Sequence, residues 1–468
     1  MIKKCQVFTP AQNVKDLLNA VGYKKDLYGK KVLENACGDG NILKEIVRRY
    51  IEDSLCNKKS IDEIKKGLER DVYGIEIDVV HFARCLSNLD EIATSYGINN
   101  VKWNILNIDF LKQYKKNEFD YVIGNPPYIT YRDLDDETRS YLKEHFISCT
   151  HGKFDYCYAF IEASLSCLNS SGKLAYLIPS SIFKNVFGQK LRDMILPSVV
   201  KIIDFTTQKL FEEALISSAI LVCDKGVTTE IIEYHDVANG TILTIPKIKL
   251  VGKWKFSDCK PDSKSKRRFG DYFSAASSIA TLYNKAYILS KFKEEGEYIV
   301  VDNFKIERNL VREGVSPKSL NFNKSVLILF PYRYHEDILV RYRRDEFEKK
   351  FPEATKYLKS FAKELSKRKS DKSIEWFEYG RTQALSHLNQ PKLLLSTVVT
   401  KEVKVYELSK ESIPYSGIYI VAKKNVSLAK AKEILESKAF YEYVQEIGVN
   451  ASGSSLRITA ADINNYEF

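Results

Sequence analysis

The chain has 468 residues, 44% hydrophobic and 28% charged, with 29 Tyr and 24 Phe, which is too long for one core and too aromatic for a disordered polymer. No apolar run reaches the ~18 residues of a membrane span, no apolar stretch follows the basic start as in a secretory leader, and the nine cysteines form no C-x-x-C pair, so membrane, disulfide-scaffold and zinc-module classes are set aside. The net charge of +11 is uneven: 41 Lys and Arg face 28 Asp and Glu from Thr241 onward, leaving 31 against 33 before it, and a basic second half suits a polyanion.

Apolar spacing predicts a helix over 13–21, a strand at 31–36, a glycine turn and a helix over 42–51. A charged surface helix at 56–70, a strand at 72–77 and an amphipathic helix over 79–93 follow. Strands are expected at 101–105, 121–123, 174–178, 199–205 and 217–222, and helices at 154–168 and 188–196. This alternation predicts an α/β fold with a doubly wound, mostly parallel sheet. The rhythm breaks after Lys225, and 260–268 is polar, basic and linker-like. β-Rich pieces at 325–330, 393–399 and 416–422 then mix with helices at 347–365 and 428–444. The division is a first domain over 1–245 and a second, basic α+β domain over 246–468.

Three strand ends carry chemistry. The first is Glu34-Asn35-Ala36-Cys37-Gly38-Asp39-Gly40, where glycines let the backbone approach a ligand; it is not the G-x-G-x-x-G of a dinucleotide site. The second is Glu76 in Tyr-Gly-Ile-Glu-Ile-Asp, an acid placed to accept from both ribose hydroxyls of a nucleoside. Together they mark an adenosine cofactor, with Asp109 able to accept from its amino group and Phe110 able to cover its face.

The third is Asn125-Pro126-Pro127-Tyr128, directly after an apolar strand. The exocyclic amine of adenine is a poor nucleophile because its lone pair is delocalised into the ring. Two fixed acceptors, the Asn125 side-chain oxygen and the Pro126 carbonyl, can draw that pair out, with the prolines holding the backbone. Tyr128 can stack on the base. A metal is not required, and the expected methyl donor is S-adenosylmethionine.

These motifs, with Phe8-Thr9-Pro10 ahead of them and 152–160, 172–181 and Leu210-Phe211-Glu212-Glu213-Ala214 after them, resemble the gamma group of amino-methyltransferases, the TaqI-like adenine-N6 DNA methyltransferases of bacterial restriction–modification systems. Segments 376–383, 390–393 and 451–457 resemble the C-terminal specificity domain of that group. The resemblance implies a class I, Rossmann-like S-adenosylmethionine-dependent methyltransferase domain and a target-recognition domain. It implies a cofactor set of Thr9, Glu34, Ala36, Gly38, Gly40, Glu76, Ile77, Asp109 and Phe110, catalysis by Asn125, Pro126 and Tyr128, and stacking of the extruded base by Phe211. One departure stands out: the group usually has Pro where this chain has Asn35, and a local change in backbone stiffness is expected.

Duplex DNA is the expected partner, with the target adenine flipped out of the stack. Arg333, Arg341, Arg343, Arg344, Arg381 and Gln383 are candidates for contacting it, each with a solvated or ion-paired role as the plain alternative. Asp302 to Glu307 suggests a nuclease by composition alone, so methylation alone is expected, with any endonuclease on a separate chain. A cytoplasmic, nucleoid-associated bacterial monomer completes the expectation. Methylation of a glutamine side chain in a protein, or of an RNA base, uses the same quartet and stands as the alternative.

Overall fold

The computed structural model describes residues 9–205, 217–256, 267–423, 426–452 and 455–468. Backbone contacts divide the chain into two compact units, Met1–Pro261 and Asp262–Phe468.

The first unit is built on nine strands: β1 (Val32–Glu34), β2 (Val72–Ile75), β3 (Asn104–Leu106), β4 (Phe119–Gly124), β5 (Leu168–Pro179), β6 (Val199–Asp204), β7 (Ser218–Asp224), β8 (Ile231–Asp236) and β9 (Thr241–Pro246). Their order in the sheet is β3-β2-β1-β4-β5-β7-β6-β8-β9. The pairs from β3 to β5 are parallel, while β7 runs antiparallel to both β5 and β6. Strand order reverses between β1 and β4, and in open α/β sheets ligands bind outside the carboxyl ends of strands at such a point.

Helices cover both faces, so successive strand residues enter different cores. Val32, Ile123, Ala175 and Leu177 pack with α1 (Ala11–Ala20), α2 (Asn41–Cys56) and α4 (Val79–Ser95). Their neighbours Leu33, Val122, Leu174 and Tyr176 pack on the opposite face with α5 (Asp136–His145), α6 (Cys157–Cys167) and α7 (Gln189–Ile195). Between α2 and β2 lies α3 (Ile61–Asp71), opened by a Ser60–Glu63 capping box and burying Ile64 and Leu68; the sequence reading had run it back to 56, where α2 still continues.

The structure departs from the sequence reading at three further places in the first unit. β8 and β9 extend the sheet where the alternation had been read as ending. Their pattern is hard to see because one face stays wet: Ile231 and Ile242 are exposed while Ile232 and Ile245 are buried. The third strand starts at Asn104 because the Lys102 amide is taken by the Glu69 carboxylate at 2.9 Å. The division between units falls near 261, not 245. Leu250 and Trp254 belong to the core of the first unit, with Trp254 donating its backbone N–H to the Phe183 carbonyl at 2.9 Å and stacking on its ring.

The second unit is α+β. One four-stranded sheet runs Phe273–Ser277, Ile418–Ala422, Lys392–Leu395 and Val405–Leu408; another runs Ile288–Leu289, Leu327–Leu329, Val311–Val315 and Ile413–Pro414. The helix expected over 347–365 is three pieces, Arg344–Lys350, Pro352–Lys359 and Ala362–Ser366, because Pro352 lacks the N–H that would continue the first. The one expected over 428–444 breaks where Ser437 caps Lys438–Ile447 through the Phe440 amide.

The stretch Trp376-Phe377-Glu378-Tyr379 forms the centre of this unit. The rings of Phe347 and Phe377 stack at 3.9 Å. The Tyr379 hydroxyl donates to the Leu329 carbonyl at 2.7 Å. Arg368 donates to the carbonyls of Thr281, Trp376 and Glu378. Glu378 is wholly buried and accepts from Arg341 Nε at 2.7 Å and from the Glu375 amide at 2.9 Å. Removing one partner of a buried ion pair strands the other charge. Arg341→Ala should therefore lower the unfolding free energy by about 3 kcal/mol in chemical denaturation; an unchanged midpoint would show that Glu378 does not need its guanidinium.

Candidate active site

The turn after β1 is shaped by two left-handed glycines, Gly38 at φ +53° and Gly40 at φ +84°. A Cβ on Gly40 would stand 2.8 Å from Cys85 Sγ on α4, whereas one on Gly38 would meet nothing within 4 Å. The first glycine therefore faces open space and the second allows helix packing. The Cys37 amide donates to the Ile75 carbonyl at 3.0 Å, tying the turn to the end of β2. Asp39 pairs with His81 and Asn88 of α4, the latter donating to its carbonyl at 2.7 Å. Ala36 is half-buried in the turn.

Two buried acids flank this turn, each held by backbone amides. Glu34 is buried, accepts the Leu43 amide at 3.0 Å, and has its pKa pushed well above the ordinary carboxylate range by burial. Its visible task is to brace the first turn of α2. Glu76 accepts the Gly38 amide at 2.8 Å through one oxygen and the Asp78 amide at 2.8 Å through the other. Each oxygen keeps a second lone pair. Beside it Ile77 is 68% exposed. At the next strand end, Asp109 uses one oxygen on the Leu111 amide at 3.0 Å, with Lys112 3.9 Å from the other. Phe110 is buried against Tyr114 and Phe160, each ring 5.4 Å away.

Asn125 follows the last residue of β4. Its Nδ2 donates to Thr9 Oγ1 at 3.1 Å. Its Oδ1 is out of water and has no donor among the described residues. A buried acceptor left unpaired costs about 1–3 kcal/mol, so the site holds an oxygen ready to accept from something else. Pro126 is buried behind it. Tyr128 is pinned by its hydroxyl, which donates to the Leu177 carbonyl at 2.8 Å. The segment then pairs with the next loop: Tyr156 donates its amide to the Ile129 carbonyl at 2.9 Å, and Thr130 bridges to Asp155.

Asn35, the departure from the gamma-group pattern, does more than alter stiffness. Its Nδ2 donates to Ser164 Oγ at 2.8 Å, Ser164 and Tyr176 hydroxyls lie 2.6 Å apart, and the Tyr176 hydroxyl donates back to Asn35 Oδ1 at 2.5 Å. With Ser164 donating to Tyr176, each group gives and receives once, and the ring is closed. It stands behind Gly124, where a Cβ would lie 3.3 Å from the Tyr176 ring and 3.8 Å from Asn35 Oδ1. The last residue before Asn125 thus rests on a buried polar triangle. Pairwise readings of sequence do not find such a triangle, although Asn35 and Tyr176 both lie in segments the motifs had marked. Asp155, also in a marked segment, is a second group the reading passed over. Burial pushes its pKa from 3.8 to about 6, and the Cys157 amide at 3.2 Å opposes that only in part.

The structure joins Thr9, Glu34, Ala36, Gly38, Gly40, Glu76, Asn125 and Tyr128 around the reversal of strand order. Phe211 lies outside the described residues; β6 ends at Asp204 and β7 begins at Ser218. In the second unit, most of the proposed DNA-contact residues are paired with acids. Arg333 lies 3.0 Å from Glu346, Arg344 3.3 Å from Glu348 and Arg381 2.6 Å from Asp371, which also accepts from Gln383 at 3.5 Å. Arg341 is committed to Glu378. Arg343, with 84% of its side chain exposed, stands 4.0 Å from Asp345. Asp302 lies in a hairpin turn at φ +52°, and Glu307 accepts the amides of Glu353 and Ala354. No cluster of three or more metal-ligating side chains occurs among the described residues, and none of their helices is long and apolar enough to cross a membrane.

Residues 24–211 match the family model described as Eco57I restriction-modification methylase. Type II restriction enzyme and methyltransferase RM.Eco57I of Escherichia coli is 24% identical over 341 residues, covering 61% of this chain and 33% of that protein. Type II methyltransferase M.BstVI of Geobacillus stearothermophilus is 27% identical over 293 residues, covering 57% and 51%. The chain therefore spans about a third to a half of the length of these relatives. The Type IIL restriction-modification enzyme MmeI, solved in complex with DNA, has the same fold with a TM-score of 0.63 at 16% identity, covering 97% of this chain and 64% of that one. Residues 24–211 thus resemble the Eco57I restriction-modification methylases, and the type II methyltransferases are similar to the chain over a wider stretch.

Two substitutions probe the supports of the site. Tyr176→Phe leaves Asn35 Oδ1 without its donor and should destabilise the protein by about 1–3 kcal/mol in chemical denaturation; no change would show that the ring is not closed in solution. Asp155 has a folded pKa above its unfolded one, so its ionisation opposes folding, with no cost below pH 3.8 and the full cost above about 6. Asp155→Asn should accordingly raise stability at pH 7 and flatten the decline between those pH values. A decline of unchanged slope in the variant would remove Asp155 as its source.

Proposed function

We propose that the chain is an adenine-N6 DNA methyltransferase of the gamma, TaqI-like group, acting with S-adenosylmethionine on an adenine extruded from duplex DNA. The observation that carries this reading is the buried Asn125 Oδ1 beyond β4, which has no donor among the described residues; its amide is held by Thr9 and followed by two prolines. An idle acceptor at this place suits a substrate that brings an N–H donor.

The residues present fit the cofactor. Gly38 leaves room at the turn after β1. Glu76 keeps lone pairs for two ribose hydroxyls, and Asp109 and exposed Ile77 offer an acceptor and an apolar surface to a purine. When bound, S-adenosylmethionine supplies an electrophilic methyl group on a sulfonium.

The protein's own work is on the amine. Asn125 Oδ1 and the Pro126 carbonyl accept its two N–H groups. This removes the lone pair from conjugation and directs it outward, and because both acceptors are fixed beforehand little reorganisation remains at the moment of transfer. As the N–C bond forms, the carbon–sulfur bond breaks and one amine proton leaves to water. The Tyr128 ring, locked through its hydroxyl, stacks on the base. Phe211 is the second stacking residue in this reading. Such stacking returns about 1–3 kcal/mol per base against the few kcal/mol that extrusion costs.

The second unit is the target-recognition domain, its charge excess facing phosphates. Arg343 is the freest of the named candidates to make such contacts, whereas Arg341 is spent on folding. A separate endonuclease acting at the same sequence, and a monomeric enzyme in the bacterial cytoplasm, belong to this reading.

The test is to express the chain in a host lacking adenine methylation and sequence its DNA with modified-base detection. N6-methyladenine in one sequence context is expected. Asn125→Ala should lower transfer at least ~100-fold, the scale of losing one preorganised hydrogen-bonding group, with calorimetric affinity for S-adenosylmethionine unchanged. Unmarked adenines beside an alkylated protein glutamine or RNA base would overturn the assignment, as would an Asn125→Ala enzyme that still marks DNA.

A further inference from the structure

If the reading above holds, extrusion leaves a gap in the duplex, and something must enter it or hold the flanking bases apart. We propose that the turn Val186–Gly188 at the carboxyl end of β5, with Val186 and Phe187 at its tip, is an apolar wedge that enters duplex DNA beside the target nucleotide.

The placement follows from strand direction. β4 and β5 are parallel neighbours with Gly124 beside Tyr176, so the chain leaves both strands at one edge of the sheet. Asn125 opens one exit and Ser180 the other. A second path connects them: Thr130, two residues past Tyr128, bridges to Asp155, and Gly152 in the same loop lies under the Phe187 ring. A Cβ on Gly152 would stand 2.0 Å from that ring, so this position must be glycine for Phe187 to sit where it does.

The tip is both rigid and exposed. Asn185 Oδ1 accepts the Phe187 amide at 3.0 Å, and the Gly188 amide donates to the Asn185 carbonyl at 3.0 Å. Lys190 ties α7 to the facing loop by donating to Thr150 Oγ1 at 2.7 Å. Yet Val186 is 53% exposed, Phe187 42% and Ile147, in the turn packed on α7, 62%. Holding apolar side chains firmly in water has no benefit to folding, and it suits a surface that is later covered.

The surroundings select the partner. Segments 147–153 and 180–192 contain Lys153, Lys184 and Lys190, while the acids beside them are held, Glu162 by the Ile147 and Ser148 amides and Asp193 by Gln189. Arg192 is buried and satisfied by the carbonyls of Gly252, Ile182 and Asn185, so it holds the turn and does not reach outward. An apolar tip beside three lysines matches a phosphate-flanked base stack, where wedges of Phe, Leu or Ile are inserted between base steps. A hydrophobic protein surface would not require those lysines.

The experiment uses the full chain and a duplex carrying the sequence context that modified-base detection assigns to the wild type. Single-turnover methyl transfer is measured on the fully paired duplex and on one whose target adenine is mismatched, so that opening is already done. Val186→Ser and Phe187→Ser should each slow transfer at least ~10-fold on the paired duplex, remain within about twofold of wild type on the mismatched one, and Phe187→Leu should recover most of the loss. Val186 is exposed enough for its serine variant to fold even if Phe187→Ser does not. Equal loss on both duplexes, or no loss on either, overturns the wedge while leaving the methyltransferase intact. A wild type that marks no DNA at all overturns the underlying reading and the wedge with it.

Discussion

Asn125 Oδ1 sits out of water with no donor among the described residues, and an unpaired acceptor of that kind persists only where its surroundings give it no way to relax. Thr9 Oγ1 accepts from the other end of the amide at 3.1 Å and ties it in place. The prolines deny the backbone a rotation that would bring the oxygen to solvent. Tyr128 fastens the next turn to β5 through the Leu177 carbonyl, and the triangle of Asn35, Ser164 and Tyr176 supports Gly124 from behind. An unfavourable local arrangement is thereby kept by many ordinary contacts, as is common where strain serves a function.

Charge around the same turn is handled by a division of labour between two glutamates. Glu34 lies inside, satisfied by one amide, and its environment favours the neutral acid. Glu76 is held by amides on both oxygens. Two identical, buried side chains one strand apart therefore differ in role because one braces a helix start with a single oxygen and the other spans two amides with both. A motif read as letters treats them alike.

That difference marks the limit of what the sequence makes legible. Asn125, Tyr128, Gly38, Gly40 and Glu76 could be picked out because each stands at a strand end where backbone geometry restricts the choice of residue. The parallel core was legible because buried stretches such as 174–179 of β5 are apolar on both faces. β8 and β9 were not, since one face stays wet and their apolar residues alternate with Glu, His and Thr. The unit boundary moved because Leu250 and Trp254 sit in a polar-looking segment and yet pack inward. Arginine roles were the least readable. Arg341 and Arg343 are two residues apart in sequence, yet one is bound to a fully buried carboxylate and the other reaches into solvent. Residue type conveys charge, and only the fold conveys whether the charge has already been spent.

The closed ring of Asn35, Ser164 and Tyr176 also bears on how such a site can change over generations. An open chain of hydrogen bonds can be shortened from its end, one member at a time. A circuit has no end, so the first replacement at any of the three positions leaves two groups mismatched at once. A lineage starting from this arrangement would tend to cross to a proline at position 35 by coordinated exchange, and intermediate sequences would carry the burden of a broken circuit. The ring therefore acts as a ratchet on the loop's ancestry as well as a prop for its geometry.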